Sequence, residues 1–421
     1  MKNYEEQRKT MKKELAEELA IQLDQIRGTD FSASREAAAY VQSLAAPPGS
    51  LGKLTDAAVQ LAGITGKVKN TLGRRRIIVM CADNGVVEEG VSATPQIVTL
   101  SQALNMTRHL TGMSSLAAHF GIDTEIVDIG IATPYEEQGC KILQRRIRRG
   151  TANLAKEPAM TRDQAVQAVL VGIERAKQAA ADGIDVIGVG EMGIGNTTTS
   201  SAVLAALTGL SVEDVTGRGG GLTDYAFEKK KNIISQALKL HGLAGTACDA
   251  GFAGAAGSSG VSSSAGFAGV SSAAGLAGVS SAAGLAGTSY DPIEVLSRVG
   301  GLDLAGMCGV YLGAAICRIP VVIDGFISIV AALCAQRLSG SCRDFMFPSH
   351  VSEEIGYMRA AQELHLDPWL HLNMRLGEGS GCPLAFQILE ASCALMNEMA
   401  TFEQAKIDDG YLAELRAMQK Q

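Results

Sequence analysis

Residues 185–199 read Asp185-Val186-Ile187-Gly188-Val189-Gly190-Glu191-Met192-Gly193-Ile194-Gly195-Asn196-Thr197-Thr198-Thr199. The first five form a short apolar, β-branched run of the kind that makes a buried parallel strand. The glycines that follow permit a tight turn, and Asn196 with Thr197–Thr199 supplies an N-cap and hydroxyl donors where a helix begins. Backbone N–H groups in such a turn, at the positive end of a helix, form a phosphate site. Gly188, Gly190 and Gly193 also satisfy G-x-G-x-x-G, the spacing of dinucleotide folds. The acid which that fold needs downstream is misplaced, because Glu213 and Asp214 follow a helix-like run rather than a strand. No G-x-x-x-x-G-K-[ST] occurs, and Gly49-Ser50-Leu51-Gly52-Lys53-Leu54 matches it only in composition.

Outward from this unit the alternation repeats. Strand-like runs at 76–81, 124–129 and 185–189 alternate with helical patterns at 98–119, 161–181 and 225–241. That order predicts an α/β protein, a parallel sheet with helices on both faces. Residues 3–28 and 32–46 read as helices, with Asp30 or Ser32 as caps and Pro47-Pro48 as a stop. Residues 320–324 read as a further buried strand, and 351–364 and 384–400 as helices.

Three other glycine-rich segments carry isolated polar residues. Asp83-Asn84-Gly85 follows the run 76–81 and leads to Gln96; Thr216–Asp224 precedes Glu228-Lys229-Lys230-Lys231; and 374–386 holds Glu378 between two glycines in a nearly uncharged stretch. In an open parallel sheet, loops that follow strands are where ligands bind. Burial of Glu378 away from positive charge would raise its pKa toward the range of a general base. The plainer reading is a turn glutamate facing water.

Composition narrows the class. The chain has 421 residues, 47% of them hydrophobic, with 37 basic and 44 acidic side chains and a net charge of −7. That suits a sizeable core and shows no basic face for nucleic acid. The densest basic cluster, Arg145-Arg146-Ile147-Arg148-Arg149, reads as a solvated loop or strand edge. The nine cysteines lack C-x-x-C pairs and the six histidines lack metal-site spacing, so reduced thiols, no metal and a cytoplasmic setting are expected. The charged, amphipathic stretch Lys2–Arg27 argues against a signal peptide, and apolar runs such as 319–334 are too short and polar to cross a bilayer. A nine-residue Gly/Ala/Ser unit recurs from Val261 to Gly287 within the low-complexity segment 244–290. With one larger apolar residue per unit it cannot bury enough surface to offset chain entropy, and it is expected to be a flexible surface insert.

In order and spacing, these segments resemble the nicotinate-nucleotide–dimethylbenzimidazole phosphoribosyltransferases of cobalamin lower-ligand synthesis. The matching pieces are Pro47–Leu54, Ala82–Val87, Gly190–Thr198, Gly217-Arg218-Gly219, Val299–Met307, Pro320–Ser328 and Leu376–Gly381. The resemblance implies a large domain with a Rossmann-like parallel sheet flanked by helices, at 71–365 with the insert inside it. The N-terminal segment 1–70 and the C-terminal segment 366–421, which carries Glu378, would close a smaller helical domain. It implies a homodimer with no cofactor that transfers the phosphoribosyl group of nicotinate mononucleotide to 5,6-dimethylbenzimidazole. Relatives on this scaffold that ribosylate another azole, a purine or a phenolic base, or that have lost catalysis, are the alternatives.

Matched positions imply roles. Glu378 would take the proton from the attacking base. Glu191 and Asp303 would orient the ribose or stabilise positive charge at C1′, although Asp303 also suits a helix cap. Gly193, Gly195, Asn196 and Thr197 would cradle the 5′-phosphate. Lys230 would pair with that phosphate or simply lie on a solvated helix face, and Gln96 and Asp83 would line the base pocket.

A chain lacking residues 250–286 is expected to fold, dimerise and keep most of its activity, because the repeat contributes little burial. Aggregation of the deletion, or strong exchange protection at 261–287, would contradict this.

Overall fold

The computed structural model describes residues 2–244 and 290–412. The repeat from 261 to 287, read above as a flexible insert, lies outside the described residues. The centre is a six-stranded sheet of β1 (Arg75–Ala82), β2 (Asp123–Gly130), β3 (Leu143–Gln144), β4 (Val186–Met192), β5 (Val321–Ile323) and β6 (Met346–Pro348). The spatial order is β3-β2-β1-β4-β5-β6 and every pairing is parallel. Order therefore reverses between β1 and β4, whose register runs from Arg75↔Val186 to Cys81↔Met192. A parallel sheet of this order opens a crevice at that switch point, outside the carboxyl ends of the strands.

Both faces are covered. On one, the helix Leu302–Cys317 packs so closely that a Cβ on Gly306 would meet Ile129 Cδ1 at 2.8 Å and Met80 Sδ at 3.1 Å. On the other, a Cβ on Gly188 would meet the Cβ of Cys382 at 2.7 Å and the ring of Phe386 at 3.1 Å, both from the helix Cys382–Glu398. The helix Leu302–Cys317 is apolar on nearly every side and buried almost throughout, as such a helix must be. It lies backbone to backbone on Arg162–Ala181: a methyl on Gly172 would overlap the Gly306 carbonyl, and one on Gly309 would overlap the Val169 carbonyl. This contact sets the position of the Asp303 end of the helix.

Several boundaries differ from the sequence reading. The predicted helix 98–119 is two helices, Val98–Met106 and Gly112–His119, because Thr111 and Ser114 form a capping box that starts the second. The first two helices end earlier than expected, at Asp24 and Ser43, and Asp30 rather than Ser32 is the cap of the second, accepting from Ala33 N at 3.0 Å. In 351–364 only Tyr357–Glu363 is helical; β7 (His350–Ser352) precedes it and pairs in parallel with β8 (Leu370–Met374). The arginine cluster does run beside edge strand β3, but it is not simply solvated. Arg146 grips the fully buried Asp128 through Nε at 3.0 Å and meets Glu137 at 2.8 Å, while Arg145 pairs with Glu174 at 3.0 Å. The N- and C-terminal segments meet through a bridge between Leu44 and Thr401. Among the described residues no helix is long and apolar enough to cross a membrane.

Replacing Gly309 by alanine forces the two long helices apart, because only backbone faces the new methyl. The expected loss is about 1–3 kcal/mol of stability, the size of an overpacked core, visible as a lower melting temperature. An unchanged melting temperature would show that the contact is looser than described.

Candidate active site

At the switch point, β4 ends in Glu191-Met192 and β1 is followed by Asp83 and Asn84. Gly190 leaves no side chain above the strand, and the chain at 377–379 occupies that space: a Cβ on Gly190 would overlap the Glu378 carbonyl. Gly377, Glu378 and Gly379 all take positive φ, at 83°, 66° and 91°. Left-handed backbone costs a non-glycine residue about 1 kcal/mol, so surrounding bonds must hold Glu378 there. Glu378 N donates to Glu191 Oε1 at 3.2 Å, and Gly379 N and Gly381 N donate to the two oxygens of Asp324 at 3.0 and 2.6 Å.

Glu378 is buried, at 5% exposure. Its Oε1 accepts from Gln102 Nε2 and its Oε2 from Met113 N, both at 3.4 Å, with the Thr111 hydroxyl alongside. Met113 lies in the first turn of Gly112–His119, so the positive helix end faces the carboxylate. Burial raises the Glu378 pKa above the ordinary value, the Asp324 charge adds to it, and the Thr111, Met113 and Gln102 donors oppose the rise. The water-facing turn glutamate is therefore excluded.

Glu191 is pushed up to about 8, first by burial and then by the charge of Asp303, against hydrogen bonds from Glu378 N and the Asn196 amide. Asp303, fully buried at the start of its helix, rises to about 6 for the same first reason. Its Oδ1 takes the N–H of Leu304 at 2.9 Å, while Oδ2 completes no hydrogen bond although the Asn84 and Asn196 amides face it. Asp83 is buried too, bonded through Oδ2 to Ala132 N at 2.8 Å; Oδ1 completes no hydrogen bond although the Thr99 hydroxyl lies near the carboxylate, and burial raises its pKa. The crevice thus gathers acceptors with unused capacity, suited to a ligand that brings hydroxyl donors and positive charge.

The region around Thr197 and Lys230 is arranged differently from the sequence expectation. Lys230 is fully buried, not on a solvated face: its Nζ donates to Thr197 Oγ1 at 3.0 Å and to the Gly217 carbonyl at 2.9 Å. Burial pushes its pKa down to about 8, with Glu354 opposing. Thr197, Lys230 and the Gly217–Gly219 turn therefore meet, since a Cβ on Gly219 would lie 2.9 Å from Thr197 Oγ1. Asn196 turns the other way and bonds Glu191. Gly193 packs against the Ala82 carbonyl and Asp303, and Gly195, with φ 91°, begins the helix Asn196–Thr208. Gln96 is half-exposed in the turn before Val98–Met106; Gln102, further along that helix, is the glutamine that reaches Glu378. Gln102 carried no distinguishing sequence pattern; Thr111 was legible only as a cap with Ser114, and Asp324 lies in the matched segment Pro320–Ser328 but was assigned no role. Among the described residues no cluster of His, Cys, Asp and Glu is placed to hold a metal.

The structure thus combines a Rossmann-like parallel sheet, buried carboxylates at its switch point and a buried amine against Thr197. The chain matches a family model described as phosphoribosyltransferase (DBI_PRT) over residues 26–279 and 276–407, and it is a pentosyltransferase. It is 45% identical over 391 residues to a nicotinate-nucleotide–dimethylbenzimidazole phosphoribosyltransferase of Clostridium perfringens, covering 93% of this chain and 96% of that one. A protein of the same name from Clostridium acetobutylicum is 42% identical over 91% of this chain and 96% of its own length. The crystal structure of CobT from Thermus thermophilus superposes with a TM-score of 0.76 at 34% identity, over 90% of this chain and 100% of that one. The chain belongs to the nicotinate-nucleotide–dimethylbenzimidazole phosphoribosyltransferase family.

The raised pKa of Glu191 makes stability depend on pH. Between the ordinary glutamate value of 4.5 and about 8, the folded chain holds a proton that the unfolded chain has released, so this group's stabilisation fades as pH rises through that window. The ligand-free protein should melt lower at about pH 8.5 than at about pH 6.5, and Glu191→Gln should flatten much of that slope. An equal slope in the variant would locate the proton elsewhere.

Proposed function

We propose that the enzyme transfers the phosphoribosyl group of nicotinate mononucleotide to 5,6-dimethylbenzimidazole, releasing nicotinate and α-ribazole 5′-phosphate for the nucleotide loop of cobalamin. The observation that carries this reading is the Glu378 carboxylate, buried and weakly bonded, on a turn whose Glu378 N–H bonds Glu191 at the carboxyl end of β4. One nitrogen of the azole attacks C1′ while the other nitrogen loses its proton to a Glu378 oxygen. The bond from C1′ to the pyridinium nitrogen breaks, and its electron pair stays on that nitrogen. Nicotinate therefore leaves as a neutral ring and needs no acid. Attack from the opposite face converts the β to the α configuration.

Glu191 and Asp303 stand where positive charge at C1′ is stabilised. A pyridinium nucleotide entering this crevice favours their ionised forms, reversing the effect of burial. Lys230 and Thr197, with the Gly193–Gly195 turn, hold the 5′-phosphate, and ribose hydroxyls satisfy the free oxygens of Asp303 and Asp83. Holding both reactants in line at this site supplies much of the rate, several kcal/mol in well-oriented reactions. The reading includes a cytoplasmic homodimer and a small domain closed by the terminal helices. The exposed apolar side chains Ile355, Leu372 and Leu376 near β7 and β8 support a subunit contact there.

With nicotinate mononucleotide and dimethylbenzimidazole as substrates, Glu378→Gln should bind both but turn over about 10²–10⁴-fold more slowly, the usual effect of losing a general base. Free nicotinate and the α-riboside, separated by chromatography, give the rate. Turnover near that of the unaltered enzyme would remove Glu378 from the role.

A further inference from the structure

Asp324 follows β5, and none of the functions above uses it. It is 2% exposed, and both carboxylate oxygens are occupied by backbone: Oδ2 by Gly379 N at 3.0 Å and Oδ1 by Gly381 N at 2.6 Å. These amides flank the left-handed Glu378 turn on its C-terminal side. Asp324 is itself braced from three directions. Its N–H donates to Ser328 Oγ at 3.2 Å, and that hydroxyl lies 3.1 Å from the Val189 carbonyl of β4 and 2.6 Å from the Tyr311 hydroxyl. Its carbonyl accepts from Ser349 Oγ at 3.1 Å, and His350 Nδ1 stands 3.9 Å from Oδ1.

We infer that Asp324 is a positioning residue for the transfer reaction: through Gly379 N and Gly381 N it locks the 377–381 turn onto the end of β4 and so aims the Glu378 carboxylate. Buried and with each oxygen turned to an amide of the turn, it presents no open face to a substrate. Without it, two buried N–H groups lose their partners and Glu378 relaxes toward a right-handed or extended backbone, which a glutamate prefers. The inference rests on Glu378 being the base.

Asp324→Asn keeps the shape but sets an NH₂ against one of the two N–H donors. We expect kcat to fall about 10–100-fold with KM for nicotinate mononucleotide within about threefold, since the phosphate end is untouched. Placed on Glu378→Gln, the same change should cost less than about threefold more, because a residue that acts only through Glu378 has little left to disturb. Full multiplication of the two losses, or an unimpaired single variant beside a slow Glu378→Gln, would overturn the inference and leave the base assignment standing. A fast Glu378→Gln would remove both. Should Asp324→Asn fail to fold, hydrogen exchange on the unaltered enzyme decides: amides at 379 and 381 as protected as those of β4 support the lock, and fast exchange there overturns it.

Discussion

The bare carboxyl end of β4 is the constraint on which the site depends. Without a side chain at Gly190, residues 377–379 settle directly on the strand, and Glu378 N reaches Glu191 Oε1 at 3.2 Å. A single methyl at Gly190 would overlap the Glu378 carbonyl, and one at Gly377 would overlap the Glu191 carboxylate. Two residues 187 positions apart thus meet because nothing stands between their backbones. The strained turn survives because carboxylates, stronger acceptors than neutral groups, take its N–H donors.

Electrostatically the crevice is costly when empty. Burial is the largest cause of the raised pKa at Glu191, Asp303, Asp324 and Glu378 alike, and neighbouring negative charge adds to it at Glu191 and Glu378. Each pKa unit corresponds to about 1.4 kcal/mol between protonation states. The extensive apolar core around the sheet carries that cost. The same disposition favours a substrate that arrives with a cationic ring, because its charge replaces the lost solvation of the carboxylates. The buried Lys230 is the counterpart at the other end: an amine whose charge burial disfavours and an anion would restore.

Rigidity reaches the site from the helices behind it. The glycine contact between Arg162–Ala181 and Leu302–Cys317 fixes the helix whose first turn holds Asp303. The helix Cys382–Glu398, pressed on Gly188, anchors the other side of the Glu378 turn. Asp303 and Glu378 therefore hang from elements packed on opposite faces of one sheet, which leaves them little freedom to drift.

By itself the sequence determined the α/β class, the strands β1, β2, β4 and β5, and the glycine-rich turns after β1 and β4, because long apolar runs and turn residues are local properties. It also marked Glu378 and Glu191 as isolated charges in glycine-rich segments, while Asp303 came only from the family resemblance. The strands β3, β6 and β7, of two or three residues each, are too short to show a period and exist only through their neighbours. The break between the two helices of 98–119 was in principle legible in Thr111 and Ser114, yet helical periodicity outweighed it. Only the tertiary structure decided that Lys230 is buried against Thr197, that Asn196 serves Glu191, and that Gln102 and Asp324 serve the Glu378 turn. Apart from Asn196 and Glu191, five positions apart, those pairings join residues distant in the chain, and their geometry follows from strand order and close packing rather than from any local pattern.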